Sequence, residues 1–247
     1  MDESFSFGTV GRTGRGLTEL YNVPASKIDM LVGSTAIGLC SGGGFCAGEE
    51  SVVQHQVRLD DLVRARLIAL QQINSPASVY SASTPALLAV SSSEAINILR
   101  STPSLLSALQ DNVRIARSIL DRVDCITIPS HPASPLIHIQ IRSPSASSLL
   151  PEAATHRKPN PASPLAYDIK PDWDAIEAEE RLLQEVVEEA LSQGVMIMKA
   201  KRLRHQENSE AKPSLRLAMT SALSRKETEK AVGIVKAALI KVLSKRR

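Results

Sequence analysis

The chain has 247 residues, with 29 lysines and arginines against 26 aspartates and glutamates, which leaves a net charge of +3. This length suits one large domain or two small ones, and the near balance of charge excludes a highly charged disordered chain. The three cysteines are too few for a disulfide scaffold, so we expect reduced, buried thiols at Cys40, Cys46 and Cys125.

No targeting or membrane segment is predicted from the chain as given. No apolar run approaches the ~18 residues that a membrane span needs. The acidic start Met1-Asp2-Glu3 differs from the basic beginning of a secretory signal. We therefore expect a soluble chain.

The first 48 residues alternate glycine clusters with short apolar runs. The run from Ile28 to Val32 has one charge and is bounded by turn formers, which predicts a buried strand of a mostly parallel sheet. Phe45-Cys46-Ala47, after three glycines, is predicted as the next strand. This alternation favours an α/β sheet over a helical bundle.

Two helices are predicted in the middle of the chain. The first covers about residues 86–99, and the second begins where Thr102 can cap it and Pro103 fits the first helical position. Residues 57–72 form a charged, helix-prone segment that differs from its surroundings.

The remaining elements predict a compact α+β domain. Ile137, Ile139 and Ile141 alternate with polar residues, as in a half-buried strand. A proline- and serine-rich stretch, residues 143–175, is predicted as a disordered or surface loop. An amphipathic helix then ends at Gly194, and strands are predicted over residues 195–198 and 215–219. Ser224 and Glu227 have the spacing of a capping box that opens a last helix.

Several of these segments together resemble the α-oxoamine synthase family of pyridoxal-phosphate (PLP) enzymes. The motifs lie in residues 2–8, 14–16, 29–45 and 81–85, and the resemblance covers most of 1–56, 73–142 and 176–247. Within the family, the chain is most similar to the first long-chain-base subunits of serine palmitoyltransferase, in a fungal-looking version.

The resemblance implies a PLP-dependent transferase fold of type I, like that of aspartate aminotransferase. Residues 1–100 would form the C-terminal part of the large domain, with 57–72 as an atypical insert. Residues 101–247 would form the small α+β domain. Family members also have a long N-terminal part with a membrane helix, so we expect a truncated chain, and we interpret residues 57–72 as a retained intron.

The catalytic lysine of the family is missing from the expected position. The family carries it eight residues after the aspartate that matches Asp29, which leads to Ile37. Lys27 is the only lysine before Lys158 and precedes the predicted strand, whereas ligands of such sheets gather at the C-terminal ends of strands. The resemblance therefore implies a chain that has no catalytic residue and binds no PLP covalently.

At other family positions, the resemblance implies residues that contact a cofactor. Such a residue would belong either to a vestigial site in this chain or to the site of the partner subunit. Asp2 matches the partner of the pyridine nitrogen, although it could equally be a frayed terminal residue. Phe5 replaces a ring-stacking histidine. Ser34, with Thr35, matches a phosphate ligand but could also be an ordinary turn former.

The resemblance also implies residues that contact the partner subunit's cofactor and the substrate. Ser81 and Ser83 match a turn that reaches the cofactor phosphate of the other subunit, with a helix cap as the alternative. Arg216 matches the arginine that holds the substrate carboxylate, although an outward-facing arginine on an alternating strand is common.

No metal site or nucleic-acid site is expected. The five histidines have no metal-ligand spacing with each other or with the cysteines. The basic runs at residues 199–204 and 245–247 lack interleaved aromatic residues, which favours a solvated surface.

The resemblance implies a non-catalytic subunit of serine palmitoyltransferase at the cytosolic face of the endoplasmic reticulum membrane. A lysine-bearing second subunit would bind the PLP, and serine and acyl-CoA would meet at the shared site. Membrane association would come only from the missing N-terminal part. The alternatives are a self-sufficient PLP acyltransferase and a truncated product without stable function.

Overall fold

A computed structural model describes residues 1–49, 84–142, 173–201 and 212–244. The chain divides into two units, Met1–Gln110 and Asp111–Arg247. The division falls within one helix, and the predicted domains 1–100 and 101–247 stay a prediction. The predicted insert 57–72 lies outside the described residues.

The described part of the first unit is built around a short β-hairpin and several helices. Its elements in chain order are α1 (Leu17–Leu20), a 3-10 turn (Ala25–Lys27), β1 (Met30–Ser34), α2 (Thr35–Leu39), β2 (Gly44–Gly48) and α3 (Ala86–Ser101). Helix α4 (Ser104–Leu120) follows and continues into the second unit. The predicted strands and both central helices are therefore confirmed.

The predicted parallel arrangement of the first two strands is wrong. Strands β1 and β2 pair antiparallel, with Val32 opposite Cys46. Only residues 35–43 connect them, whereas a crossover between parallel strands needs about a dozen residues or more. The parallel contact among the described residues of this unit is the bridge between Asp2 and Val32.

The N-terminus is paired rather than frayed. The Met1 ammonium donates to the Met30 carbonyl oxygen at 2.6 Å, and the Val32 amide donates to the Met1 carbonyl oxygen at 2.9 Å. The Glu3 amide completes the contact by donating to the Val32 carbonyl oxygen at 2.7 Å. Residues 1–3 thus extend the hairpin on the free side of β1.

The second unit is an α+β layer with a four-stranded antiparallel sheet in the order β3-β4-β6-β5. Its elements are β3 (Ile126–Thr127), β4 (Leu136–Ile141), α5 (Trp173–Ser192), β5 (Met198–Lys199), β6 (Leu215–Ala218) and α6 (Arg225–Ser244). The α+β prediction for this region is confirmed in its described part.

The core of the second unit lies between the sheet and the helices. Ile137 and Ile139 of β4 and Leu215 of β6 have no exposed surface, and Leu183 of α5 and Leu239 of α6 are equally buried. Burial of each such aliphatic side chain contributes about 1.5–3 kcal/mol to folding. The alternation seen in the sequence thus reflects one buried sheet face.

Helices α5 and α6 end and begin as the sequence predicts. Gly194, just beyond α5, has a φ of +82°, which favours glycine. Glu227 Oε2 accepts from the Ser224 amide at 2.8 Å, and the Ser224 hydroxyl oxygen accepts from the Glu227 amide at 3.4 Å, which forms the capping box of α6.

The loop prediction for residues 143–175 is wrong at its end. Helix α5 begins at Trp173, because Trp173 and Ile176 extend its apolar stripe. Residues 143–172 lie outside the described residues.

The prediction of buried cysteines is also wrong. The cysteines are free, but Cys40 is exposed and Cys46 and Cys125 are half-buried. Cys40 ends the short helix α2 and Cys46 lies in a two-stranded sheet, so neither has enough surrounding structure to cover it.

Candidate cofactor and substrate site

Ile37, which the resemblance places at the lysine position of the family, lies on the short helix that follows β1. Ile37 is half-buried in α2, after the C-terminal end of β1. Ser34 caps this helix, because its hydroxyl oxygen accepts from the Ala36 amide at 3.2 Å. The Thr35 hydroxyl donates to the Gly43 carbonyl oxygen at 3.0 Å. Both hydroxyls therefore take part in local hydrogen bonds of the turn.

Lys27 lies at the opposite end of β1 from Ile37. It is exposed in the 3-10 turn that precedes β1, whereas Ile37 follows the other end of that strand. An aliphatic side chain provides neither a nucleophile nor a proton donor. With Ile37 at the lysine position that the resemblance implies, the described residues of the first unit do not fit a covalently held PLP.

Asp2 lies on the strand-like segment beside β1, so it is near the same sheet as Ser34. Its side chain is exposed and accepts the Ser4 amide at 2.8 Å. Hydrogen bonds from the Ser4 side chain and backbone lower the pKa of Asp2 below its ordinary value. Asp2 is thus a carboxylate at neutral pH. Phe5 is 53% exposed and has no ring contact with the other aromatic residues of the described part.

Close backbone contacts place the N-terminal loop against α2 and β2. A Cβ on Gly38 would lie 2.1 Å from the Phe7 carbonyl oxygen, so only glycine fits there. The rings of Phe7 and Phe45 meet edge to face at 5.0 Å between centroids. A Cβ on Gly33 would lie 2.6 Å from the Phe45 ring. This packing leaves no space for a side chain at Gly33 or Gly38, on either side of Ile37.

Two glutamates that the sequence analysis did not single out order the glycine-rich loop. Glu3 is 3% exposed, and its carboxylate accepts the amides of Leu17 at 3.0 Å and Thr18 at 3.3 Å, together with the Ser6 hydroxyl. These amides begin helix α1, where the backbone donors lack helical partners. An acidic residue before several glycines is a weak sequence signal for this role.

Glu19 performs a similar function from within α1. Its carboxylate accepts from the Thr13 amide and hydroxyl at 2.9 Å each, and from the Arg15 amide at 3.3 Å. Partial burial raises the pKa of Glu19, but the hydrogen bonds from Thr13 and Arg15 outweigh it, so the pKa lies below its ordinary value. The loop is therefore closed by carboxylate-to-amide contacts at both ends.

Ser81 and Ser83 lie outside the described residues, and the structure describes the chain again from Thr84. The Ser41 hydroxyl donates to the Leu88 carbonyl oxygen at 2.8 Å, and a Cβ on Gly43 would lie 2.9 Å from the Thr84 hydroxyl oxygen. The beginning of α3 therefore lies beside the turn that follows α2.

Arg216 belongs to the second unit, on the sheet face away from the buried core. It is half-buried and pairs in register with His138 on one side and Met198 on the other. The His138 ring Nδ1 lies 3.0 Å from the Ser214 hydroxyl oxygen. Burial, followed by the Arg216 charge, lowers the pKa of His138 below its ordinary value. Within the described ranges, Arg216 has no ion-pair partner.

The described parts of the chain contain neither a metal-binding cluster nor a membrane-spanning helix. No group of three or more histidine, cysteine, aspartate and glutamate residues there could hold a metal ion. Among the helices described, none combines the length and apolar character needed to cross a membrane.

The chain was compared with known proteins. No protein-family model matches it. It is 33% identical to Serine palmitoyltransferase 1 of Dictyostelium discoideum over 240 residues, which cover 96% of this chain and 42% of the relative. It is 34% identical to Long chain base biosynthesis protein 1c of Oryza sativa subsp. japonica over 149 residues, or 60% of this chain and 28% of the relative.

Solved structures show the same fold. A high-resolution structure of SPT with a PLP internal aldimine matches 98% of this chain and 47% of its own, with a TM-score of 0.64 and 15% identity. The 8-amino-7-oxononanoate synthase of Francisella tularensis matches 100% of this chain and 55% of its own, with a TM-score of 0.64 and 14% identity. The predicted PLP-dependent type I transferase fold is thereby confirmed.

The chain spans about two fifths of the length of the Dictyostelium relative and a smaller share of the rice relative. The similarity nevertheless runs through almost all of the present chain and agrees with the structural matches. This chain belongs to the family of serine palmitoyltransferase 1 and long chain base biosynthesis protein 1.

Proposed function

We propose that this chain is a non-catalytic subunit of serine palmitoyltransferase. In the proposed complex, a lysine-bearing second subunit binds PLP and forms a heterodimer with this chain. The complex condenses L-serine with palmitoyl-CoA to 3-ketosphinganine in sphingolipid biosynthesis. It lies at the cytosolic face of the endoplasmic reticulum membrane, to which the parts that family members carry beyond this chain attach it.

The observation that carries this proposal is Ile37 on α2, in a chain otherwise similar to serine palmitoyltransferase 1. A covalent PLP enzyme needs an amine at this position. The hydrocarbon of Ile37 and the distant location of Lys27 argue against the alternative of a self-sufficient acyltransferase. The cofactor is therefore assigned to the partner.

The remaining candidate residues receive supporting roles in the proposal. Ser81 and Ser83 contact the cofactor phosphate of the partner subunit, as the family resemblance implies. Asp2 and Ser34 belong, in this proposal, to a vestigial cofactor site, as the family resemblance implies.

Arg216 has a separate proposed role at the substrate-carboxylate position. Its guanidinium is half-buried and has no carboxylate partner in the described part of the chain, as expected for a group that binds an external anion. The neutral His138 beside it adds no second cation at physiological pH.

The proposal is tested in a chimera, because this chain spans 42% of the Dictyostelium relative. The matching part of that relative is replaced by this chain and co-expressed with a lysine-bearing second subunit. We expect ketosphinganine formation only when both polypeptides are present. Borohydride reduction should attach PLP to a lysine of the second subunit alone.

An isolated chimera that forms ketosphinganine, or that retains PLP after reduction, would overturn the proposal. A second subunit whose activity is unchanged when the chimera is omitted would do the same. Replacement of Ser81 and Ser83 by alanine, with Ser93→Ala on α3 as the matched control, separates an interface role from a general loss of hydroxyls.

A further inference from the structure

Three polar side chains of β4 and β6 lie together on the sheet face that points away from the core of the second unit. His138 and Arg216 are directly opposite each other in the antiparallel register, and Ser214 lies two residues before Arg216. Opposite residues of a strand pair share a face, as do residues two positions apart on one strand. Leu215, which lies between Ser214 and Arg216, is fully buried on the other face.

A hydrogen bond sets the direction of the His138 ring. Its Nδ1 lies 3.0 Å from the Ser214 hydroxyl oxygen, although Ser214 is the diagonal neighbour of His138 and not the direct one. Diagonal neighbours are about 7–8 Å apart, so the ring must lean along β6 towards Ser214 to make this contact. The backbone of His138 is held as well, because its amide donates to the Ser130 hydroxyl oxygen at 2.8 Å.

This lean leaves space on the other diagonal side of His138. The residue of β6 on that side is Ala218, which is exposed and ends at its methyl group. Ser214, in contrast, is only 6% exposed. A ring released from Ser214 would be able to rotate over the Arg216 side chain towards Ala218. The hydrogen bond therefore keeps the space beside Arg216 open.

The two cross-strand neighbours of Arg216 are uncharged at neutral pH. Burial, and then the Arg216 charge, lower the pKa of His138, so its ring is neutral. Met198, opposite Arg216 on β5, is 54% exposed. A carboxylate at either position would pair with the guanidinium, and a second cation would repel it. Neither neighbour thus competes with a substrate carboxylate for Arg216.

We propose that His138 is a positioning residue for the substrate carboxylate: held by Ser214, it keeps the Arg216 guanidinium accessible to the carboxylate of L-serine. The proposal rests on the proposed function of Arg216 and adds two residues that set its geometry. His138 and Ser214 act as one unit, because the hydroxyl gives the ring its orientation.

Steady-state kinetics of the complex described above test this role. His138→Leu, which removes Nδ1, should raise the KM for L-serine about fivefold and leave kcat and the KM for palmitoyl-CoA within about twofold. Ser214→Ala should have the same effect. The double variant should be no worse than either single one, because residues that act as a unit give non-additive effects. His138→Asn keeps a polar group that can bond to Ser214, and its KM for L-serine should stay within about twofold of the original.

Thr127→Val is the matched control for Ser214→Ala. Thr127 shares the outer sheet face, since it is opposite Gln140, and its hydroxyl oxygen accepts from Arg142 Nε at 3.4 Å. The variant therefore also removes a hydroxyl that bonds to a basic side chain, but β4 separates it from β6. We expect an unchanged KM for L-serine.

Arg216→Lys is the reference variant, because it keeps the charge and loses the bidentate fork. It should raise the KM for L-serine at least as much as His138→Leu. If it does so while His138→Leu and Ser214→Ala have no effect, or if their effects add, the role of His138 is refuted and the proposed function stands. An equal rise of both KM values in His138→Leu would also refute it. An unchanged KM in Arg216→Lys would overturn the roles of Arg216 and His138 together.

A complex that forms no ketosphinganine would refute the proposed function, and a second measurement then tests His138 without catalysis. The Arg216 amide of the full 247-residue chain is followed by NMR during titration with L-serine and with ethanolamine, which lacks the carboxylate. His138→Leu should weaken the binding of L-serine about fivefold and leave that of ethanolamine unchanged. Equal effects on the two ligands, or no effect on L-serine, would overturn the role of His138.

Discussion

The carboxylate of Glu3 accepts the backbone amide of Leu17 at 3.0 Å, across fourteen residues of glycine-rich chain. This contact satisfies a donor at the beginning of α1 and closes the loop that packs on α2. Because Glu3 is almost completely buried, its loss would leave backbone donors without a partner.

Glu3→Gln is expected to destabilise the chain by about 1–3 kcal/mol, the usual cost of unsatisfied buried hydrogen-bonding groups. The amide replaces one acceptor oxygen with a donor that faces the donors of Leu17 and Thr18. Urea unfolding measures the effect. Asp2→Asn, a matched change at an exposed neighbour, should leave the unfolding midpoint nearly unchanged, and equal effects of the two variants would refute the role of Glu3.

Gly38→Ala is expected to destabilise the chain by more than about 2 kcal/mol, because overpacking against backbone forces a main-chain shift. The added Cβ would lie 2.1 Å from the Phe7 carbonyl oxygen. Gly233→Ala in α6 is the control, since nothing lies within 4 Å of its added Cβ. That variant should gain about 0.5–1 kcal/mol from helix propensity. Thermal and urea unfolding compare the two, and a harmless Gly38→Ala would contradict the close approach.

The lowered pKa of His138 predicts that the free energy of unfolding depends on pH. Its pKa in the folded chain lies below the ordinary value of 6.5, because of burial and then the Arg216 charge. The unfolded chain therefore binds a proton more readily, and stability should fall as pH decreases from about 7.5 through 6.5 towards the folded pKa. Urea midpoints across this range measure the slope. His138→Gln should reduce the slope, and an unchanged slope would show that other groups cause it.

Thr228→Val is expected to stabilise the chain by about 1 kcal/mol, because it removes an unpaired buried hydroxyl at nearly constant volume. Thr228 is 1% exposed, and its Oγ1 has no hydrogen-bond partner among the residues that the structure describes. Thr228→Ser, which keeps the hydroxyl and loses the methyl group, should destabilise the chain by about 1 kcal/mol. Calorimetry distinguishes the two, and a destabilised valine variant would indicate that the hydroxyl is satisfied.

Local patterns predicted the elements that depend on neighbours in sequence. The alternation around Ile137 and Ile139 predicted β4, and the spacing of Ser224 and Glu227 predicted the start of α6. These patterns can be detected in the sequence because strand alternation and helix capping involve residues two or three positions apart.

Other features depend on residues far apart in sequence, and only the tertiary structure decided them. The antiparallel pairing of β1 with β2, the burial of Glu3 against Leu17 and the register of His138 with Arg216 each join segments whose approach no local pattern specifies. The sequence by itself determined the family, the types of most elements and the absence of a lysine at residue 37. The tertiary structure decided which polar groups meet, because hydrogen bonds and charges act over a few ångströms in space, whatever their separation along the chain.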